Sequence, residues 1–298
     1  IMSRYICVDI GGTSIKHGVL DENAIIEESN QTKTEAWLGG AEVLDKVKAI
    51  GKQYMEQYEN IEGICISTAG MVDPEEGKIV FAGELMPDYT GTCIKKELEK
   101  TLGIPCEVEN DVNCAGLAEY ISGAAKESHI MFCATVGTGI GGCAIVDGSV
   151  FHGASNSACE IGYIPMEDSD FQTLGASSIL IKKVAGKKRE PLDMWDGKKI
   201  FELAEKGDEV CISAIKEMCD VLGKGLATIC YVLNPDTIVL GGGVMAQKKI
   251  LENEIIDSLK RYLKPILAEH LQVCFAEYGN EAGMVGALYN FQNKCGRK

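Results

Sequence analysis

The sequence predicts an α/β protein, because short β-branched segments alternate with longer segments that have helical periodicity. Several of the short segments are apolar on both faces, which is typical of strands in a sheet that is covered on both sides. A strand–glycine turn–strand pattern also occurs twice. We predict strands at residues 5–10, 61–68, 106–110, 129–136 and 236–242.

The longer segments predict helices between these strands. In residues 41–59 the apolar side chains recur three and four positions apart, with charged side chains on the opposite face. Residues 208–233 and 247–267 have the same pattern. We therefore expect three long helices packed on the strands.

The composition restricts the class of protein. Of the 298 residues, 46% are hydrophobic and 24% are charged, which is ordinary for a soluble globular protein long enough for two domains. The net charge of −15 disfavours nucleic acids and anionic membranes as partners. We find neither an 18-residue apolar stretch nor a signal peptide, so we expect a cytoplasmic protein. The thirteen cysteines are scattered without a CxxC pair, which predicts reduced, buried thiols rather than a cysteine-rich metal site.

The repeated pattern suggests an internal duplication. "VDIGGTSIKHGVLD" (8–21) and "TVGTGIGGCAIVDG" (135–148) each contain an apolar strand, a Gly/Thr turn and a second apolar strand. Walker and dinucleotide-binding loops must open a helix, so both are poor fits to these hairpins. We expect two similar domains, with a boundary near residues 115–125.

The glycine turns are candidate phosphate sites, because glycine lets backbone N–H groups approach an anion. In the first turn Thr13 adds a hydroxyl group, Lys16 adds a positive charge and Asp9 could hold Mg²⁺ through water. The alternative is an ordinary hairpin whose lysine faces solvent. The second turn, in "GTGIGG" (137–142), favours phosphate, since a polyphosphate needs donors from two sides.

Three further stretches are candidate ligand contacts. The strand ending in "LGGG" (240–243) could lie beside a nucleotide base and ribose, or simply connect a strand to a helix. In "CEVENDVN" (106–113), Asn110 and Asp111 suit recognition of a hydroxyl group and its deprotonation, although an aspartate there is commonly a helix N-cap. Glu160 in "GASNSACEIG" (153–162) is either a ligand contact or a solvated loop acid.

Together, "DIGGTSIK", "ENDVNCAGLAE", "VGTGIGGC", "GASNSACEIG" and "NPDTIVLGGG" resemble the ROK family of sugar kinases, in family order. The resemblance implies an actin-like ATPase (ribonuclease H-like) fold with two α/β domains around a cleft. The small domain would comprise residues 1–117 and 283–298, and the large domain residues 118–282. The resemblance also implies that ATP, with Mg²⁺, donates its γ-phosphoryl group to a hexose hydroxyl, usually O6. Relatives often form dimers, so a homodimer is compatible with it.

The resemblance assigns roles to single residues. The first phosphate loop would be formed by Asp9, Gly11, Gly12, Thr13 and Lys16, and the second by Gly137, Thr138 and Gly139. Gly241, Gly242 and Gly243 would border the adenosine. Asp111 would be the general base, and the sugar would be bound by Asn110, Glu160, Gly70, Tyr163 and Gln172. The segment 279–291 would pack on the N-terminal domain.

Two departures from the family pattern indicate an unusual sugar. Tyr163 stands where many members have a histidine, and residues 166–180 lack the cysteines that bind zinc with it, so we expect no zinc site. Gln172 replaces a glutamate that usually contacts the sugar near its anomeric end. A β-glucoside or an N-acetylated hexosamine such as N-acetylmannosamine is therefore an alternative to glucose. A sugar-responsive repressor is disfavoured, because such relatives carry a DNA-binding head before this fold, whereas here the first strand is predicted from about residue 4 and leaves no room for a helix-turn-helix. A non-catalytic sugar-sensing protein is the remaining alternative.

Overall fold

The structure, a computed structural model, describes residues 2–84 and 86–296. The chain divides into two compact units. Unit 1 comprises Ile1–Ser122, His152–Ala158 and Asn280–Lys298, and unit 2 comprises Gly123–Phe151 and Cys159–Gly279.

The secondary structure follows the alternation expected from the sequence. The strands are β1 Arg4–Ile10, β2 Ser14–Asp21, β3 Ile26–Lys33, β4 Ile61–Thr68, β5 Met71–Asp73, β6 Lys78–Phe81, β7 Cys106–Asn110, β8 Ile130–Val136, β9 Ile140–Val146, β10 Ser149–Val150, β11 Pro165–Met166, β12 Ser169–Asp170, β13 Thr237–Gly241 and β14 Gln272–Phe275. The α-helices are α1 Gly40–Gln57, α2 Ile94–Leu102, α3 Asp111–Ile121, α4 Phe171–Gly175, α5 Ser177–Lys188, α6 Gly197–Glu205, α7 Glu209–Leu233, α8 Lys248–Tyr262, α9 Pro265–Ala268 and α10 Ala282–Cys295. Short 3₁₀ helices occur at Ala36–Leu38, Ile161–Tyr163, Leu192–Met194, Gly243–Gln247 and Gly279–Glu281.

Unit 1 is built on a five-stranded sheet in the order β3-β2-β1-β4-β7. Strands β1, β4 and β7 are parallel, whereas β2 and β3 are antiparallel to their neighbours. Alternate side chains of β1 and β4, such as Ile6 and Ile64, join the core formed with α1 and α2. Helix α10 packs against α3, β1, β4 and β7, which confirms that the C-terminal segment packs on the N-terminal sheet. Most cysteines are buried, as predicted.

Unit 2 is built on a second five-stranded sheet, in the order β10-β9-β8-β13-β14. Strands β8, β13 and β14 are parallel, and β9 and β10 are antiparallel. Helices α4, α5, α6 and α8 pack around the long helix α7. The core combines aromatic and aliphatic side chains from these elements, among them Phe132, Phe171 and Leu222.

The two sheets confirm the predicted duplication. In each sheet the first three strands form an antiparallel meander, and two later strands add in parallel beside the first. The glycine turns occupy equivalent places, because each joins the first strand of its sheet to the second. Both turns lead into a strand rather than a helix, which excludes the Walker and dinucleotide-binding geometries.

One helix prediction is wrong in part. The pattern of residues 247–267 predicts a single helix, but α8 ends at Tyr262 and α9 begins at Pro265. Proline lacks an N–H group and disfavours helical geometry in the residue before it, and Lys264 is accordingly extended, with φ −64° and ψ 138°. Within the part of the chain that the structure describes, no helix is long and apolar enough to cross a membrane.

Candidate active site

The first glycine turn of unit 1 is held in a closed shape by Thr34. The Gly11 N–H donates to the carbonyl of Ser14 (3.0 Å), and the buried Thr34 hydroxyl donates to the carbonyl of Gly11 (2.6 Å). The Thr34 N–H donates to the carbonyl of Thr13 (3.0 Å). A Cβ built on Gly12 would meet no atom within 4 Å, so this side of the turn is open. Thr34 was missed because nothing in its local sequence marks it.

Asp9 and Lys16 lie together beside this turn. The Asp9 carboxylate accepts a hydrogen bond from Ser67 (2.7 Å), and the Lys16 ammonium lies 3.9 Å from its other oxygen. Burial raises the pKa of Asp9, against the hydrogen bond from Ser67 and the charge of Lys16, which lower it. Lys16 also donates to the carbonyl of Asn280 (3.2 Å), and its side chain is only 27% exposed. The structure therefore brings Lys16 to Asp9, in place of the solvent-facing alternative.

The start of α10 packs directly on Asp9. A Cβ built on Gly283 would lie 2.4 Å from the Asp9 Cγ, so the helix approaches this carboxylate more closely than any side chain would allow. Gly283 was not predicted, because it lies 274 residues along the chain from Asp9. The close approach of α10 at Gly283 holds Asp9 between this helix and Ser67.

Asn110 and Asp111 form the junction between β7 and α3. Asn110, rather than Asp111, is the N-cap, since its Oδ1 accepts from the N–H groups of Val112 and Asn113. Its Nδ2 donates to the carbonyl of Gly70 (2.9 Å) and to Asp111 Oδ1 (3.1 Å). The structure thus brings the predicted residues Gly70, Asn110 and Asp111 together.

A second layer of polar side chains supports this junction. The buried Tyr89 hydroxyl is hydrogen-bonded to Thr68 (2.7 Å), and its pKa is raised, chiefly by burial and also by the negative charge of Asp111. The buried Glu109 carboxylate accepts from the Asn110 N–H (2.7 Å) and pairs with His152 (2.7 Å). Sequence analysis missed these supporting residues; only the position of Glu109 beside Asn110 could have indicated one of them.

The second glycine turn, in unit 2, is supported by hydroxyl groups at the start of α5. The Gly137 N–H donates to the carbonyl of Gly139 (2.9 Å). The Ser177 hydroxyl and N–H both donate to the carbonyl of Gly137 (2.6 and 2.9 Å), and the Ser178 hydroxyl donates to that of Thr138 (2.7 Å). A Cβ on Gly137 would again meet no atom within 4 Å.

The third glycine cluster lies next to the second turn. Gly241 ends β13, and Gly243 begins the 3₁₀ helix, so the cluster does connect a strand to a helix. Gly242 has φ +94°, and a Cβ there would lie 2.3 Å from the carbonyl oxygen of Val136, immediately before the second turn. Only glycine permits this approach, which places the cluster beside Gly137.

The remaining predicted residues also gather near the second turn. Glu160 stands at the N-cap position of the 3₁₀ helix Ile161–Tyr163 without a capping hydrogen bond from its side chain. Partial burial of its carboxylate raises its pKa, although the residue as a whole is exposed. Tyr163 is 56% exposed. The side-chain oxygen of Gln172 lies 2.8 Å from the Cβ position of Gly139 and 2.9 Å from that of Gly162, so it fills the space between these glycines. Among the residues described, no three His, Cys, Asp or Glu side chains are grouped to hold a metal ion.

Comparison with known proteins relates this geometry to a family. A sequence model of the ROK family matches residues 5–294. A beta-glucoside kinase of Klebsiella pneumoniae is 31% identical, with coverage of 95% of this chain and 94% of its own. A ROK family glucokinase of Streptomyces griseus in complex with glucose and AMPPNP has a TM-score of 0.83 and 28% identity, covering 97% of this chain and 98% of its own. A ROK family protein of Streptococcus pneumoniae in complex with sucrose has a TM-score of 0.85 and 27% identity over 98% of both chains. The predicted actin-like ATPase fold is confirmed.

Proposed function

The chain belongs to the ROK family of carbohydrate kinases, and from this premise we propose that it transfers the γ-phosphoryl group of ATP to a hydroxyl of a hexose or hexose derivative. We propose O6 as the acceptor and Asp111 as the general base. The base accepts the hydroxyl proton as the sugar oxygen bonds to the γ-phosphorus, and ADP leaves as the bridging P–O bond breaks.

The junction between β7 and α3 carries this proposal. Asp111 is the first residue of its helix, and its Oδ1 accepts from Asn110 Nδ2 (3.1 Å) and from the Val112 N–H (2.9 Å). Both donors restrain the orientation of the carboxylate. A carboxylate that is restrained and only partly buried suits removal of a proton from a bound alcohol.

The two glycine turns support nucleotide binding. Each turn is held by hydroxyl groups, and the Cβ positions of Gly12 and Gly137 face open space, so an anion can approach the backbone. Asp9 fits an Mg²⁺ ion held through water, because it is a partly buried carboxylate and its partner Lys16 lies as far as 3.9 Å from the nearer oxygen. When bound, Mg²⁺ would neutralise charge on the phosphates.

The sugar is proposed to be a β-glucoside or an N-acetylated hexosamine in preference to free glucose. Tyr163 stands where many family members have a histidine, and Gln172 where they have a glutamate that contacts the sugar, so the pocket around O1 and O2 is expected to differ. The 31% identical relative is a beta-glucoside kinase, and one similar structure holds sucrose, in which the glucose O1 is also substituted.

The direct test measures ADP release with a panel of acceptors: glucose, methyl β-glucoside, cellobiose and N-acetylmannosamine. We expect release that depends on sugar and Mg²⁺, with the highest kcat/KM for a β-glucoside or N-acetylmannosamine. Asp111→Asn should lower kcat by ~100-fold or more, since it removes the base but keeps the shape. Asp147→Asn, at an exposed position of unit 2, is the matched control and should behave like wild type.

The outcomes separate the alternatives. Highest kcat/KM for free glucose would refute the sugar assignment while leaving the kinase intact. Equal rates in Asp111→Asn and wild type would refute Asp111 as the base. Sugar binding by calorimetry without ADP release would identify a non-catalytic sugar-sensing protein instead.

A further inference from the structure

The Glu109 carboxylate is an unusual group at this junction. Its side chain is 1% exposed and belongs to the buried strand β7, where an ionised carboxylate needs hydrogen bonds to replace lost water. Oε1 accepts from the Asn110 N–H (2.7 Å) and from Asn113 Nδ2 (2.9 Å). Oε2 lies 2.7 Å from His152 Nε2, which donates to it when the carboxylate is ionised. Glu109 therefore joins both sides of the strand–helix junction to His152.

Asn110 connects these hydrogen bonds to Asp111. The Asn110 N–H is fixed by Glu109, and the Asn110 side chain in turn donates to Asp111 Oδ1 (3.1 Å) and to the carbonyl of Gly70 (2.9 Å). Rotation of the Glu109 carboxylate would release the Asn110 N–H and alter the position of its side chain. We therefore expect the orientation of Asp111 to depend on what holds Glu109, in addition to the Val112 N–H, which donates to Asp111 Oδ1 directly (2.9 Å).

His152 begins a short loop that is distant in sequence from Glu109. Residues 152–158 belong to unit 1, although the residues before and after them belong to unit 2. The loop closes on itself, since the Ala158 N–H donates to the carbonyl of His152 (3.0 Å), and Gly153 has φ +73°. The His152 side chain is 27% exposed, so it covers Glu109 at the edge of the unit.

We propose that His152 is a positioning residue for phosphoryl transfer: its Nε2 holds the Glu109 carboxylate, which fixes Asn110 and through it the general base Asp111. The expected effect of His152 on kcat rests on the proposed kinase function. The observation that carries it is the continuous chain of hydrogen bonds from His152 to Asp111.

A pair of variants separates this hydrogen bond from the volume of the side chain. The amide of Gln reaches about as far as the Nε2 of His, whereas the amide of Asn is shorter by one carbon–carbon bond. His152→Gln should therefore keep the bond to Glu109, and His152→Asn should lose it. His129→Gln is the control, because that histidine is 88% exposed and lies 3.8 Å from the exposed Asp147, in unit 2.

The kinetic test compares these full-length variants at a temperature where circular dichroism shows each to be folded. In His152→Asn we expect kcat to fall ~10–100-fold, because a displacement of about 1 Å in the base has this effect, with KM for ATP unchanged. His152→Gln should recover most of kcat, and His129→Gln should match wild type. Equal kcat values in His152→Asn and His152→Gln, or an unchanged kcat in both, would overturn the proposal.

A second measurement does not depend on activity. Hydrogen–deuterium exchange of a peptide covering residues 107–116 should be faster in His152→Asn than in wild type, and unchanged in His152→Gln. Equal exchange in all three proteins would overturn the proposal. A wild-type protein without sugar-dependent ADP release would refute the kinase function alone, and the exchange data would still decide whether His152 holds the junction.

Discussion

Replacement of Gly283 by alanine tests whether the position of Asp9 limits the reaction. Gly283 lies in the first turn of α10, and an added Cβ would be 2.4 Å from the Asp9 Cγ and 2.6–2.7 Å from its oxygens. Carbon atoms in contact are normally ~3.5–4.0 Å apart, so Asp9 or the helix must move by about 1 Å or more. Movement of Asp9 would break its 2.7 Å hydrogen bond with Ser67 or alter its approach to Lys16.

The expected effect on stability is small, whereas the expected effect on activity is large. Overpacking in a core costs about 1–3 kcal/mol, and alanine is favoured over glycine within a helix by ~0.5–1 kcal/mol. We therefore expect Gly283→Ala to lower the free energy of unfolding by about 0–2.5 kcal/mol. A carboxylate displaced by about 1 Å in a phosphoryl-transfer site should lower kcat/KM by ~100-fold.

Gly63→Ala provides a matched control in the same unit. A Cβ on Gly63, in β4, would lie 2.3 Å from the Phe291 ring, so the overpacking is similar but does not involve Asp9. Urea unfolding and sugar-dependent ADP release should be measured on both variants. We expect similar losses of stability and a loss of activity in Gly283→Ala only. Wild-type kcat/KM in Gly283→Ala, or an equal loss in Gly63→Ala, would refute the reasoning.

Two further predictions concern the second turn and a buried histidine. Ser177→Ala removes the 2.6 Å hydrogen bond to the carbonyl of Gly137. Because such a bond contributes ~0.5–1.5 kcal/mol net, we expect the KM for ATP to rise by about 2–12-fold. ADP-release kinetics will measure this rise, and the KM for sugar should stay unchanged. Burial lowers the pKa of His17, so the folded state resists protonation while the unfolded chain accepts a proton near its ordinary pKa of 6.5. The contribution of His17 to the free energy of unfolding should therefore be constant above about pH 7 and fall as the pH decreases below ~6.5. This fall should be smaller in His17→Gln in urea titrations, and an identical pH dependence would contradict it.

The fold was predictable where its signals are local. The bounds predicted for β4 and β7 agree with the structure, because each strand is a contiguous pattern with a local signal at one end: Gly70 shortly after β4 and Pro105 immediately before β7. The duplicated hairpins were also visible, since each is a contiguous pattern. The break between α8 and α9 has an equally local cause, Pro265, and could have been predicted had proline been weighed against helical periodicity.

The supporting residues of the site could not be found in this way. Thr34 bonds to a glycine 23 residues away, His152 to a glutamate 43 residues away, and Gly283 packs on an aspartate near the other end of the chain. Each is a single residue in an ordinary local context, and only the folded chain brings it to the site. A motif therefore identifies the residues that face a ligand more readily than those that hold them.

The two turns should respond differently to solution conditions, although they occur in duplicated sheets. They occupy the same place in equivalent sheets, but the first lies beside the charged pair Asp9 and Lys16, and the second is held by the hydroxyls of Ser177 and Ser178. Hydroxyl–carbonyl bonds do not titrate, whereas a partly exposed ion pair is screened by salt, and the raised pKa of Asp9 makes it protonate earlier on acidification than an ordinary aspartate. Acid and salt should therefore perturb the first turn before the second. Hydrogen exchange of peptides covering each turn, measured as the pH is lowered from 7 and as salt is added, would reveal this order, and equal changes in both turns would contradict it.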